Sequence, residues 1–175
     1  MALVLIKEDG TAKIDANSYA SAADADAYFD GHLYATVWTA AVSGTKEAAL
    51  VMATRLIDSQ YQFGGSKRSE TQALQWPREN CRDLDAGRWT GGVVASDVVP
   101  KGVIEATCEM ARELLILDRT TAPPGEGLKY QNIGSDQVGY SKTDVRPIIS
   151  HVAQAMLIKY GALVKKSGAV RLVRV

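Results

Sequence analysis

Pro100 is followed by two adjacent apolar rows at helical spacing, and this pattern narrows the available folds more than any other feature of the chain. Val103, Thr107, Met110, Leu114 and Leu117 form one row, and Ile104, Cys108, Ala111 and Leu115 form the next. Apolar residues recurring every three or four positions specify a helix. Two rows side by side specify a broad buried face, so this helix should be central to the fold. Pro100 suits the first helical position, where a missing N–H costs nothing. Glu105, Glu109 and Arg112 are expected on the wet side.

Three further helices are expected around it. Ser21, with Asp24 three residues on, is an aspartate version of the capping box. Ala25, Tyr28, Phe29 and Leu33 then share one helical face, while Asp24, Asp26 and Asp30 lie mostly in solvent. A second helix spans about residues 45–61, with Ala49, Met52, Ala53, Leu56 and Ile57 as its stripe. The fourth starts near Pro147, carries Ile149, Val152, Met156 and Tyr160, and weakens or ends at Gly161.

The remaining segments read as arms and loops. Residues 2–7 suit a short strand, 8–10 a turn, and 11–14 a return strand. Pro123, Pro124 and Gly125 end any helix before them. Residues 128–141 read as a hairpin turning at Gly134, Ser135 and Asp136. Residues 165–175 read as an extended arm. Residues 62–99 have no helical stripe, and an irregular stretch of that length calls for a binding or assembly role. The expected fold class is therefore mainly α: a four-helix bundle core, a long loop between the second and third helices, and small β-hairpin or strand arms. One domain over residues 1–175 accounts for the whole. Its parts are a β arm (1–15), helices one to three (16–120), the hairpin (128–141), helix four (147–164) and the C-terminal arm.

Composition excludes several functions. Hydrophobic residues make up 46% and charged residues 23%, as in globular proteins and unlike disordered ones. Twenty basic residues balance twenty acidic ones, so no long-range field draws the chain to nucleic acid or to an acidic membrane. No apolar run approaches the ~20 residues that span a bilayer, and residues 1–6 are too short and lack the basic flank of a signal peptide. Two cysteines, Cys81 and Cys108, form no disulfide framework, and a reducing compartment is the default.

Catalytic and metal chemistry find little support. His32 and His151 are isolated, without an HExxH or a cysteine partner at zinc spacing. No GxSxG elbow accompanies them. Asp83, Asp85 and Gly87 lack the remaining ligands of a calcium loop and read as a turn. Gly44-Thr45-Lys46 lacks phosphate-loop spacing. Cys108 lies on an apolar row and is expected in the core; Cys81 has no activating motif. No catalytic residue, metal or cofactor is expected.

One cluster bears on nucleic acid. Tyr61, Phe63, Trp76 and Trp89 interleave with Arg68, Arg78, Arg82 and Arg88, a composition that can stack single-stranded bases. The competing structural reading has Phe63, Trp76, Pro77 and Arg78 anchoring the long loop or making an assembly contact. The neutral balance favours the anchor.

Several segments together resemble a known family. They are Ala16-Asn17-Ser18-Tyr19-Ala20-Ser21, Ala25-Asp26-Ala27-Tyr28-Phe29, Lys46-Glu47-Ala48-Ala49-Leu50, and Ala53-Thr54-Arg55-Leu56-Ile57-Asp58. The most specific is Gln72-Ala73-Leu74-Gln75-Trp76-Pro77-Arg78. The pattern resembles the head–tail connector proteins of tailed bacteriophages, also called adaptors or head-completion proteins. Some of these carry the label of a DnaT-like single-stranded-DNA-binding domain. The resemblance covers residues 15–120, with the rest matching in order of elements.

It implies a structural protein of the virion neck, made in the host bacterial cytoplasm. Protomers would form a homo-oligomeric ring, usually dodecameric, that docks on the portal and receives head-closure or tail proteins. Double-stranded DNA would pass through the channel without specific binding. The β-rich arm Val170, Arg171, Leu172, Val173, Arg174 and Val175 is the expected portal contact, by strand addition. A single-stranded-DNA-binding module is the alternative.

Overall fold

The computed structural model describes residues 3–83, 92–121, 130–133, 136–139 and 146–164. Five helices follow in order: α1 (Ala22–Phe29), α2 (Thr36–Ala40), α3 (Ser43–Gln60), α4 (Lys101–Ile116) and α5 (His151–Leu157). The strands are β1 (Tyr61–Phe63), β2 (Ser66–Lys67), β3 (Arg78–Glu79), β4 (Tyr130–Ile133), β5 (Asp136–Gly139) and β6 (Gly161–Leu163). They pair antiparallel as β1–β6, β2–β3 and β4–β5.

This arrangement overturns the mainly α four-helix bundle; the fold is mixed α/β. Only α3 and α4 are long enough to act as bundle members, with 18 and 16 residues. They pack on each other, and α5 packs on α4. α2 has five residues and too little length for a periodic stripe, so pattern reading passed over it. It forms because Trp38 is fully buried, stacks on Phe29 and donates its indole N–H to Asp26.

The helix starts follow their caps. The Ser21–Asp24 capping box is present in both directions. Pro100 lies just outside α4 rather than within it, and Ser150, not Pro147, caps α5 through the N–H of Ala153. α1 ends at Phe29, so Leu33 leaves the helical face and is 90% exposed.

The middle of α4 is buried on more sides than expected and its C-terminal end on fewer. Val103, Ala106, Thr107, Cys108, Glu109, Met110 and Ala111 are buried, while Leu114 is half-buried and Leu117 exposed. Glu109, assigned to the wet side, is 2% exposed. It can be buried because three neighbouring groups compensate its carboxylate, as described below. On α5, Ile149, Ala153, Leu157 and Tyr160 face the core, whereas Val152 is exposed.

The N-terminal segment is not a hairpin. Buried Glu8 accepts hydrogen bonds from the N–H groups of Gly10, Ala12 and Lys13, which fold that stretch around one carboxylate. Asn17 stands in for a strand partner: its Oδ1 accepts from Ile6 N–H and its Nδ2 donates to Val4 O. Lys7 then bridges Ser18 in parallel sense. Of the hairpin expected over residues 128–141, β4 and β5 pair antiparallel, and residues 128–129, 134–135 and 140–141 lie outside the described residues.

The described part of the long loop, residues 62–83 and 92–99, is built rather than irregular. β1 runs out of α3 and pairs with β6, in register Tyr61↔Leu163, Gln62↔Ala162 and Phe63↔Gly161. A Cβ on Gly161 would lie 2.4 Å from Gln62 O, so this crossing requires glycine. Gly65, at φ +70°, makes the turn into β2, where a side chain would collide with Glu79 O. Residues 84–91, with Arg88 and Trp89, lie outside the described residues, as does the arm Val170 to Val175.

The core setting of α3 gives a direct check. Ile57 is fully buried and Met52 is 37% exposed. Ile57→Ala should cost about 2–5 kcal/mol, and Met52→Ala should stay within about 0.5 kcal/mol. Urea unfolding of both variants measures the contrast.

Candidate functional site

The loop residues nominated from sequence converge on one inward-facing knot. Trp76 is fully buried and packs edge-on against Phe63 and Tyr160. Arg78 turns its guanidinium inward. Nε donates to Gly64 O at 2.7 Å, Nη2 to Gly65 O at 2.8 Å and to Phe63 O at 3.3 Å, and Nη1 to Gln75 O at 3.1 Å. Four loop carbonyls are thereby satisfied by one side chain, as buried backbone requires. Gln72 adds to this, receiving Ser69 N–H and donating to Leu74 O and Pro77 O. Phe63, Trp76 and Arg78 thus face the protein interior, and Pro77 O accepts from Gln72. Tyr61 and Phe63 are each 3% exposed, so the faces needed to stack bases are covered by protein. Arg68 donates to Gly10 O, while Arg82 is exposed.

Besides Glu8, half-buried Asp58 and buried Glu109 organise the polar interior, and sequence reading missed the role of both. Asp58 accepts from the Tyr19 hydroxyl and, at 3.0 Å, from Gln75 N–H. The same hydroxyl accepts from Gln75 and Trp76 N–H groups. Burial raises the Asp58 carboxyl from 3.8 to about 6, against the lowering effect of the Tyr19 and Gln75 bonds. On α4, Glu109 accepts from Tyr28 at 2.9 Å and from Arg112 at 3.1 Å, and His32 Nε2 lies 3.4 Å away. Arg112 continues to Glu113, and Glu113 to Arg119, which reaches Pro147 O and Ile148 O. The network ties α1 and α4 to the entry of α5. A helix-face glutamate three residues before an arginine was the available signal, but it reads identically on a wet face.

Reactive chemistry is not assembled among the described residues. No group of three His, Cys, Asp or Glu side chains is placed to hold a metal. Both cysteines are buried and unpaired. Burial pushes the Cys108 thiol up to about 12 and raises that of Cys81, which leaves both protonated and poorly nucleophilic. His151 is exposed on α5. No helix of the described residues is long and apolar enough to cross a membrane.

The surface carries the more distinctive features. Leu33, Tyr34, Val37 and Val42 are 90%, 76%, 39% and 71% exposed along the connection from α1 to α3. A groove of about 770 Å³ runs beside β6, lined by Phe63, Arg82, Ile158, Leu163 and Val164 among others.

The described residues form a small mixed α/β fold with a buried loop knot and a few exposed apolar side chains. The chain belongs to the family described as "Putative DnaT-like ssDNA binding protein", whose model matches residues 1–175. The DnaT-like part of the sequence resemblance is thereby shown, and the match does not speak to a head–tail connector. No curated protein and no solved structure matches the chain.

Asp58 makes a prediction in pH. Its folded value lies above 3.8, so its stabilising contribution is full below about pH 4 and is lost as pH rises through about 6. Apparent Tm should fall between pH 4.5 and 6.5, roughly, and Asp58→Asn should flatten that slope even if it lowers Tm throughout. Glu109→Ala should destabilise by about 1–3 kcal/mol, because it removes the acceptor of the Tyr28 hydroxyl and one of the two carboxylates that pair with Arg112. Calorimetry across pH and denaturant titration check the two.

Proposed function

We propose that the chain is a structural assembly subunit, the neck adaptor its sequence resembles. The observation that carries this reading is the distribution of apolar groups. The interior is closed around Trp38, Trp76 and Ile57, yet Leu33, Tyr34 and Val42 lie open in one short connection. Clustered exposed apolar groups mark surfaces that other chains cover. In this reading, protomers form a homo-oligomeric ring, dodecameric as the resemblance implies, between the portal and the head-closure or tail proteins. Double-stranded DNA passes through it without specific contact, in keeping with a formal net charge of zero. The protein acts at the virion neck and needs no cofactor.

The second reading is a single-stranded-DNA-binding module. The family's own description supports it, and does so more directly than it supports an adaptor. Against it stand the burial of Tyr61, Phe63 and Trp76 and the neutral charge. Binding would have to use other residues, with exposed Arg82 among the few candidates near the loop.

One pair of measurements separates the readings. Electron microscopy of the protein mixed with portal-bearing capsids should show an added ring. Anisotropy with a labelled oligo-dT should show no binding tighter than about 100 μM at physiological salt. A monomer that ignores portals but binds oligo-dT at micromolar concentration or tighter, with a steep salt slope, overturns the adaptor and establishes the alternative.

A further inference from the structure

His32 is bonded at both ring nitrogens, and the two bonds make opposite demands on its protonation. Tyr34 N–H donates to Nδ1 at 3.1 Å. Nε2 faces Glu109 Oε1 at 3.4 Å, the oxygen that also accepts the Tyr28 hydroxyl at 2.9 Å. A ring nitrogen that accepts a hydrogen bond carries no proton, so the neutral ring holds its proton on Nε2 and directs it at the carboxylate. A second proton can enter only at Nδ1. It keeps the Glu109 contact and adds charge to it. It also sets one N–H against the N–H of Tyr34, donor against donor, and that bond is lost.

The strain of that step falls on the Tyr34 side. The His32 backbone N–H donates to Phe29 O at 3.0 Å, and the Phe29 ring meets the imidazole edge-on, which fixes the histidine to the end of α1. Leu33 and Tyr34, by contrast, are mostly exposed, and α2 starts just beyond them with no side-chain cap at Ala35. We infer that His32 is a proton-operated latch on the turn from α1 into α2: neutral, it holds Tyr34 in place, and protonated, it releases the exposed Leu33–Tyr34 segment. Low pH therefore opens the latch. Fully buried Trp38 keeps α2 docked, so the release is local.

The other ionisable groups of the packed elements are engaged differently. On α4, Arg112 pairs with Glu109 Oε2 and with Glu113, and Glu105 pairs with Lys101. On α1, the Tyr28 hydroxyl is held by Glu109, and exposed Asp30 ends the helix. Asp26 and Lys46 pair with each other beside Trp38. The latch stands whether or not the protein is an adaptor, because its readouts lie within the turn. It alters how the apolar connection that carries the adaptor reading is presented.

The test uses the full chain labelled with ¹⁵N and titrated from about pH 8 to about pH 5, the range in which histidines charge. At the upper end the imidazole ¹⁵N shifts of His32 should show Nε2 protonated and Nδ1 bare. As the ring gains its second proton, the Tyr34 amide resonance should move along the same curve. Its exchange protection, corrected for the intrinsic pH dependence of exchange, should fall by about threefold or more. His32→Gln should abolish this step at Tyr34. Asp58→Asn removes another group that titrates in the range and should leave the step in place. A neutral ring protonated on Nδ1 overturns the inference, as does a ring still neutral at about pH 5 or a Tyr34 amide that ignores the His32 titration. A step that survives in His32→Gln belongs to a different group, Glu109 first among them, and equally overturns the latch. Should His32→Gln misfold, the ring and amide titrations of the unaltered chain decide the question.

Discussion

The guanidinium of Arg78 holds together what is otherwise the least regular part of the molecule. It donates to carbonyls of Phe63, Gly64, Gly65 and Gln75, which lie on both arms of the loop between α3 and α4. Regular ladders cannot satisfy such short strands, because β1 to β3 contain only three, two and two residues. One planar, always-charged group with a fixed fork of donors does the work of a sheet. With those carbonyls paired, Trp76 and Phe63 can be buried beside them, and Tyr160 packs on Trp76. Among the described residues Arg78 makes no salt bridge, so the carbonyl dipoles around it offset most of its burial, with the Asp58 carboxylate adding attraction from further away. The loop thus becomes part of the core, and α5 and β6 are positioned against it.

The helical skeleton was legible in the sequence because it rests on local signals. Ser21 with Asp24, the apolar rows after Pro100, and the stripe through Ala49, Ala53 and Ile57 each report on residues a few positions apart. The fold class was not legible, because it depends on what happens between helices. Asn17 imitates a strand partner, Glu8 folds a turn around itself, and Gly161 admits a close crossing. Each of these is a side chain or a gap meeting a distant backbone, and no periodicity announces it.

The candidate site was read in part for the same reason. The motif from Gln72 to Arg78 was singled out in the sequence, and in the structure its Trp76 is fully buried. The wet-side assignment of Glu109 on α4 failed. A glutamate, with an arginine at the third position after it, looks the same in sequence whether water or Tyr28 and His32 face it. Charge pattern fixes which residues can pair, but burial of the pair is decided by a helix packed from elsewhere.

The pairing of β1 with β6 also orders events in time. Tyr61 meets Leu163 across about a hundred intervening residues, while α1, α2, α3 and the Arg78 knot are complete far earlier in the chain. On a ribosome adding about 5–20 residues per second, β1 waits several seconds or longer for its partner. During that interval the Tyr61–Phe63 edge is fastened on one side only, by Gln75 and Arg78. The same two side chains that fix the mature loop therefore hold β1 by the edge that faces away from β6, while the edge that receives β6 stays open until that strand is synthesised.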